Sequence, residues 1–476
     1  MIRRRCISLS GRVGMRLRAE FRLGAGGLFV ALMLGASPGL LLGQSASADS
    51  GQATEFLTLA QAVAMALETH PAVGQADAAG EAAGARVRQA RSSLFPTLAS
   101  QGSLARYQEP MVVAPLHGFD PMHPPSFDRN LVQGAITLGY TLFDGGARGA
   151  RIRQAEAGER AVEAGGAGTR MAVSVQVSAA YLGVLTGEEL LAAVLAQKAA
   201  LSEELQRVRL FFEEGKAARV DLLRVEAALS RVGAQEISVR SELELARSRV
   251  ARLTGLEAEA VGRMTFVPVS PVGTVILARD HALAAAMESN PDLRRAQEEL
   301  SGAKVGVKQA AAAWLPRVEA NGRYANFGTL DGGHVQEWQG ALQISYPLFT
   351  GGAREGERER AVAEELQAVE ALRWAKMTVE DGVESALAAV REARALRDAL
   401  ELAEEQSAEV ARIEALALEA GAGVQTDFLR AQAELFQARA SLSQARQGEV
   451  LAHIELARVK GDLSLEWIQA NMEMVR

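Results

Sequence analysis

The feature that most constrains this sequence is that it is written twice. Glu68-Thr69-His70-Pro71 returns as Glu288-Ser289-Asn290-Pro291, and Phe95-Pro96 returns as Leu315-Pro316, both 220 residues later. Tyr140-Thr141-Leu142-Phe143-Asp144-Gly145-Gly146-Ala147-Arg148 returns as Tyr346-Pro347-Leu348-Phe349-Thr350-Gly351-Gly352-Ala353-Arg354, now 206 residues later. Gly215 and Asp221 match Gly421 and Asp427 at that second offset. Each half must therefore form the same supersecondary unit, one over 49–268 and the other over 269–476. The change of offset between Pro96 and Tyr140 places the length difference in one connection, 109–130, which is rich in Pro, His and Asp. Insertions are tolerated at solvated loop tips, so this loop is expected to be exposed.

Within each unit the hydrophobic period changes from two to that of a helix. Val132, Gly134, Ile136, Leu138, Tyr140 and Leu142 alternate with Gln133, Ala135, Thr137, Gly139 and Thr141, which predicts a strand with two unlike faces. Its counterpart sets Trp338, Gly340, Leu342, Ile344, Tyr346 and Leu348 against Gln339, Ala341, Gln343 and Ser345. Weaker strands at 97–107 and 317–327 complete one hairpin per unit. After each hairpin a helical pattern runs over 146–213 and 352–419, 68 residues each. That is roughly 100 Å at the α-helical rise, too long for an ordinary globular domain. Steps of four and three through Val173, Val177, Ala180, Val184, Gly187, Leu191 and Val194 predict coiled-coil packing. The second copy keeps this phase at Val379, Val383, Ala386 and Val390 and then loses it. Shorter helices are expected over 58–94 and 219–254, and over 278–314 and 425–460, stacked end to end beside the long ones.

Residues 1–48 read as a secretory signal peptide. Seven arginines by Arg22 precede an apolar stretch, Leu23 to Leu42, and then Ala46-Ser47-Ala48. Removing seven arginines and Glu20 moves the formal charge from −7 to −13. Nucleic acid is excluded as a partner, because its phosphates demand clustered basic residues. Cys6, the one cysteine, lies in the removed segment, which excludes a disulfide framework and thiol chemistry. No catalytic constellation is present, so no enzyme activity and no cofactor are expected. His117, Asp120 and His123 offer metal donors, but three such groups on a Pro-rich loop make no fixed site, and no metal is expected. After Asp49 no run of about eighteen apolar residues appears, so a membrane role would have to use strands. Four strands cannot close a barrel, since the smallest membrane barrels have about eight and an open edge in lipid strands its backbone groups. Several copies are then required, and strand counting alone leaves two, three or four open. A periplasmic adaptor or coiled-coil scaffold would share the heptads, but should carry one hairpin and compact β-domains.

The duplicated plan, the L-F-x-G-G-x-R joints at Leu142 and Leu348 and the G-x5-D tips at Gly215 and Gly421 resemble the TolC-like outer-membrane factors. The resemblance implies a mainly α fold with a transmembrane β-barrel portion. It implies a homotrimer whose strands form a twelve-stranded barrel in the outer membrane of a Gram-negative cell, continued by an α-helical tunnel across the periplasm. It further implies an exit duct that docks on a periplasmic adaptor and an inner-membrane pump in efflux or type I secretion. On this reading Ile136, Leu138, Tyr140, Leu342, Ile344 and Tyr346 face outer-membrane lipid. Gly215, Lys216, Gly421 and Ala422 form adaptor-docking turns that depart from the family's usual Val-Gly-Leu-like pattern. Asp221 and Asp427 fall where the family places tip acids, and Arg430 stands where a further acid is usual, making an aperture ring of mixed sign. The plainer role for both aspartates is to begin returning helices at the positive end of the helix dipole.

Overall fold

The computed structural model describes residues 56–117, 121–273 and 278–474. The expected signal peptide and Asp120 lie outside the described residues. The element order is β1 (Phe56–Leu57), α1 (Leu59–Thr69), α2 (Pro71–Ser92), β2 (Thr97–Val112), β3 (Phe127–Phe143), α3 (Ala147–Glu213), α4 (Arg219–Thr254), α5 (Ala258–Arg263), β4 (Thr265–Phe266) and β5 (Val269–Pro271). Then follow α6 (Arg279–Ser289), α7 (Pro291–Ala312), β6 (Arg317–Thr329), β7 (His334–Ser345), α8 (Ala353–Glu419), α9 (Gln425–Lys460), α10 (Leu465–Asn471) and β8 (Met472–Met474).

The long helices α3 and α8 each hold 67 residues, and α4 and α9 return antiparallel to them with 36 each. The expected helices over 58–94 and 278–314 are each broken once. His70 and Asn290 take extended backbone, and Pro71 and Pro291 begin the next helix. Proline has no N–H to continue a helix and disfavours helical backbone in the residue before it. Side-chain caps compensate: His70 Nδ1 accepts from the Ala72 N–H, and Asn290 Oδ1 from those of Asp292 and Leu293. These breaks seat the ends of the returning helices. Thr69 Oγ1 donates to the Thr254 carbonyl at 3.0 Å and Asn290 Nδ2 to that of Val459 at 2.8 Å. Gly461, at φ +81°, lies so close to the Ser289 carbonyl that a Cβ there would come within 2.4 Å of it.

The main core lies where these breaks, α3 and the short strands meet. Val63, Val177, Tyr181, Val184, Val250, Phe266 and Ile454 are buried together. The Tyr181 hydroxyl lies 2.8 Å from the Leu57 carbonyl and 2.7 Å from that of Val267, fastening the parallel β1–β4 pair to α3. Burial pushes its phenol well above the ordinary tyrosine value, opposed by the Val267 hydrogen bond. In the second repeat Val379, Val383, Ala386 and Val390 are buried as the heptad phase requires, whereas Leu396, Leu402, Val410, Ile413 and Leu416 beyond them are exposed.

The helices are not shared out equally. Among the described residues α3 packs against α1, α2, α4, α7 and α9, whereas α8 packs against α6, α7 and α9. One stretch of α3 is apolar enough by length and composition to cross a bilayer, contrary to the reading of the sequence. With five helices packed along α3, interhelical contact accounts for that apolarity.

Candidate functional site

All four long strands join one antiparallel sheet in the order β2-β3-β6-β7, so the two hairpins sit side by side and β2 and β7 are free edges. Directly paired residues share a face of a sheet. Leu138 pairs with Leu98 and Gly322, Ile136 with Ser100 and Tyr324, and Tyr140 with Ala320. Across the second hairpin Tyr324 pairs with Trp338, Ala320 with Leu342 and Val318 with Ile344. One face therefore gathers Leu98, Ile136, Leu138, Tyr140, Tyr324, Trp338, Leu342 and Ile344, with Trp338 80 % exposed. The opposite face carries Gln101, Thr137, Glu319, Asn321, Arg323, Gln339 and Gln343. Single-residue alternation in the sequence thus becomes one continuous apolar wall backed by a polar one.

Tyr346 departs from expectation. β7 stops at Ser345, because Pro347 has no N–H for the ladder, and Tyr346 lies just past the strand end. Its ring lies 5.7 Å from the Arg354 guanidinium, as that of Tyr140 lies 6.0 Å from Arg148. The 109–130 connection is also less solvated than expected. β2 and β3 extend into it, and Val113 is buried with Leu131, Ala325 and Phe327 on the polar face. His117 Nε2 reaches Glu337 Oε1 on that same face at 3.3 Å. Apolar side chains at this end of a polar wall are better covered than exposed, which draws the loop inward.

At the strand-to-helix joints a cavity of about 760 Å³ opens on the polar side, lined among others by Thr97, Thr141, Arg151, Arg317, Glu319 and Asn321. The two joints differ. Arg148 is held by Asp144 Oδ2 at 3.2 Å and donates to the Ser93 and Leu142 carbonyls. Arg354 lies over Trp314, 4.5 Å from the ring centre, and its Nε and Nη1 are buried without a hydrogen-bond partner.

At the far end Gly215 and Gly421 take φ +73° and +74°, a left-handed turn that a residue with a Cβ adopts only at a cost. The N–H of Lys216 donates to the Phe211 carbonyl at 2.7 Å and that of Ala422 to the Ala417 carbonyl at 2.9 Å, closing the ends of α3 and α8. Asp221 and Asp427 both lie in the first turn of the returning helix. Asp221 is 3.4 Å from Arg224, and Arg430 pairs with Glu434 at 2.8 Å. Arg207, which the sequence did not single out, ties the tips together. It is gripped by Glu204 through two contacts of 2.8 Å and donates to the Leu418 carbonyl at the end of α8 at 3.1 Å. Higher up, Lys198 donates to the buried Glu236, 2.6 Å away, and holds that carboxyl below its ordinary value against the cost of burial, with Arg240 adding to the effect.

The sequence model of the outer membrane efflux protein family matches residues 62–256 and 282–462, one segment in each repeat. The chain is 28 % identical over 320 residues to the alkaline protease secretion protein AprF of Pseudomonas aeruginosa, a match covering 62 % of this chain and 63 % of that protein. It is 28 % identical over 453 residues to protein CyaE of Bordetella pertussis, covering 90 % of each. Its fold is similar to the Campylobacter jejuni CmeC outer membrane channel, with a TM-score of 0.74, 17 % identity and 85 % of each chain covered.

Proposed function

The chain belongs to the outer membrane efflux protein family, and from that premise we propose that it is the exit duct through which an inner-membrane pump and a periplasmic adaptor pass their cargo across the outer membrane. The observation that carries this reading is the four-stranded sheet with one apolar face, one polar face and two unpaired edges. An open edge cannot persist in lipid, so β7 of one copy must pair with β2 of the next until the sheet closes. The apolar face then meets lipid and the polar face lines a lumen.

We take the assembly to be a homotrimer with twelve strands. The repeats themselves supply the contact. Between the two halves of one chain, α7 seats against α3, and the Cβ of Ala157 would lie 3.6 Å from a Cβ at Gly302. The same relation applied to the free side of α8 sets Ala363 against Ala82 of the partner subunit. In the isolated chain Ala157 is buried while Ala82 and Ala363 are exposed, and Gly145 is crowded by Ala312 and Leu315 where Gly351 has nothing near it. Transferring the β3–β6 register in the same way pairs Ile344 with Gly102 of the partner subunit and Leu342 with its Leu104.

The tips carry the remaining roles. Gly215, Lys216, Gly421 and Ala422 form the adaptor-docking turns, and Asp221, Asp427 and Arg430 ring the periplasmic aperture. Likeness to a protease secretion protein favours type I secretion for this duct. The test is to extract the protein from outer membranes in mild detergent and measure oligomeric mass together with conductance in a planar bilayer. A trimer with discrete openings is the expected result, and Asp427→Ala should shift its cation preference. A monomer without conductance would overturn the reading.

A further inference from the structure

The two joints share a motif but not a charge balance. Asp144 of the first repeat becomes Thr350 in the second, while the arginine is kept. In the first repeat the Asp144 carboxylate neutralises Arg148 and the Ser93 and Leu142 carbonyls take its other nitrogens. In the second, Arg354 has no ion pair or hydrogen bond among the described residues. Its Nε and Nη1 are buried and unpaired, and Nη2, likewise unbonded, is the nitrogen left open to the surface. Burying two guanidinium nitrogens without partners is costly, and the contacts that hold this group are the rings of Trp314 and Tyr346. In the proposed ring the contacts of Gly145 with Ala312 and Leu315, transferred to Gly351, would bring Ser92 and Phe95 of the partner subunit, and residues 92–100 contain no carboxylate to pair with Arg354.

The surroundings indicate what completes the site. Tyr346 lies just past the end of β7, two residues after Ile344 of the apolar face, and beside it Leu348 and Phe349 are each 88 % exposed. Aromatic and apolar side chains at the end of a membrane strand mark the headgroup level. A lone cation at that depth, stacked on a tryptophan, is matched by the phosphate of a lipid. We propose that Arg354, backed by Trp314 and Tyr346, binds the phosphodiester group of a phospholipid at the periplasmic rim of the barrel. The first repeat has no such site, because Asp144 fills the place of the lipid phosphate. In an assembled ring, lipid sites would alternate with internally neutralised joints.

This inference rests on the outer-membrane reading, and its test separates the two. The assembled protein is exchanged into detergent containing phosphatidylglycerol, and bound lipid is counted by native mass spectrometry. The wild type should retain about one phosphatidylglycerol per chain more than Thr350→Asp, which supplies the missing acid and leaves the arginine in place. Arg354→Gln should lose the same lipid, and Asp144→Thr should gain one. Equal counts in wild type and Thr350→Asp, in protein that still forms conducting trimers, would overturn the site and leave the channel standing. Inorganic phosphate is the second arm. If it alone raises the melting temperature of lipid-free wild type as much as phosphatidylglycerol does, and Thr350→Asp abolishes both effects, the ligand is a free anion and the lipid assignment fails.

Discussion

Replacing Ala82 and Ala363 by cysteine should link neighbouring copies covalently. The expected geometry comes from the seam inside one chain, where the Ala157 Cβ and a Cβ built at Gly302 stand 3.6 Å apart. Disulfides need a Cβ separation of about 3.5–4.5 Å, so the equivalent pair across the subunit seam lies within range without backbone movement. α2 and α8 of one chain do not pack against each other along their length, so a bond between these residues reports a partner subunit. The one cysteine of the sequence is Cys6, in the segment expected to be removed, so the mature chain adds no background. After mild oxidation in the membrane, non-reducing gels of heat-denatured protein should show a ladder ending at three copies. Each single cysteine should give monomer. Moving one partner by four residues, to Arg86→Cys with Ala363→Cys, displaces it by about 6 Å along the helix and should abolish the ladder. A ladder that ends at two or four would refute the trimer. Efficient bonding of the shifted pair, with none at Ala82 and Ala363, would refute the transfer of the in-chain seam to the subunit boundary.

Ile136→Arg places a charge on the apolar face and should cost about 2–4 kcal/mol near the bilayer midplane, whereas Thr137→Arg on the polar face should be milder; equal loss of assembled protein in membranes would undo the face assignment. Tyr181→Phe leaves the Leu57 and Val267 carbonyls without their buried donor and should lower stability by about 1–3 kcal/mol, read as an earlier thermal transition; an unchanged melt would mean that β1 and β4 are held without it. Burial pushes the His453 imidazole below its ordinary value of 6.5, with Glu449 opposing and Arg394 assisting. The folded chain therefore takes up this proton less readily than the unfolded chain, so stability is full above that value and falls as the pH drops through it toward the folded one. The fall in melting temperature between about pH 7.5 and pH 5.5 should be smaller in His453→Gln, and an identical fall would assign the effect to other groups.

Much of this architecture is legible in one dimension because it is periodic and duplicated. The bounds of α3, α4, α8 and α9 follow from the Gly-Gly joints and from Gly215 and Gly421, which punctuate both repeats even where the heptad phase of α8 is lost beyond Val390. The faces of β3 and β7 follow from strict alternation, which a strand cannot violate without turning side chains over. Proline at 71 and 291 is equally visible, and it breaks the helices expected over 58–94 and 278–314. The inward course of the loop at Val113 has no local signal, since it depends on Leu131 of β3 and on Ala325 and Phe327 of β6. The adjacency of β3 and β6, which makes one sheet of two hairpins, and the Arg207 tie between tips also join residues far apart in sequence.

The charge imbalance at the second joint shows most clearly what tertiary structure decides. The substitution of Thr350 for Asp144 is plain when the repeats are aligned, but it says only that an acid is absent. That the absence leaves Arg354 unpaired, pressed on Trp314 and beside an exposed apolar rim, depends on which side chains converge there. Periodicity determines where elements begin and which side they bury, because those are properties of a chain against a uniform environment. Pairing of charges and seating of loops depend on distances between particular atoms, which only the folded arrangement sets.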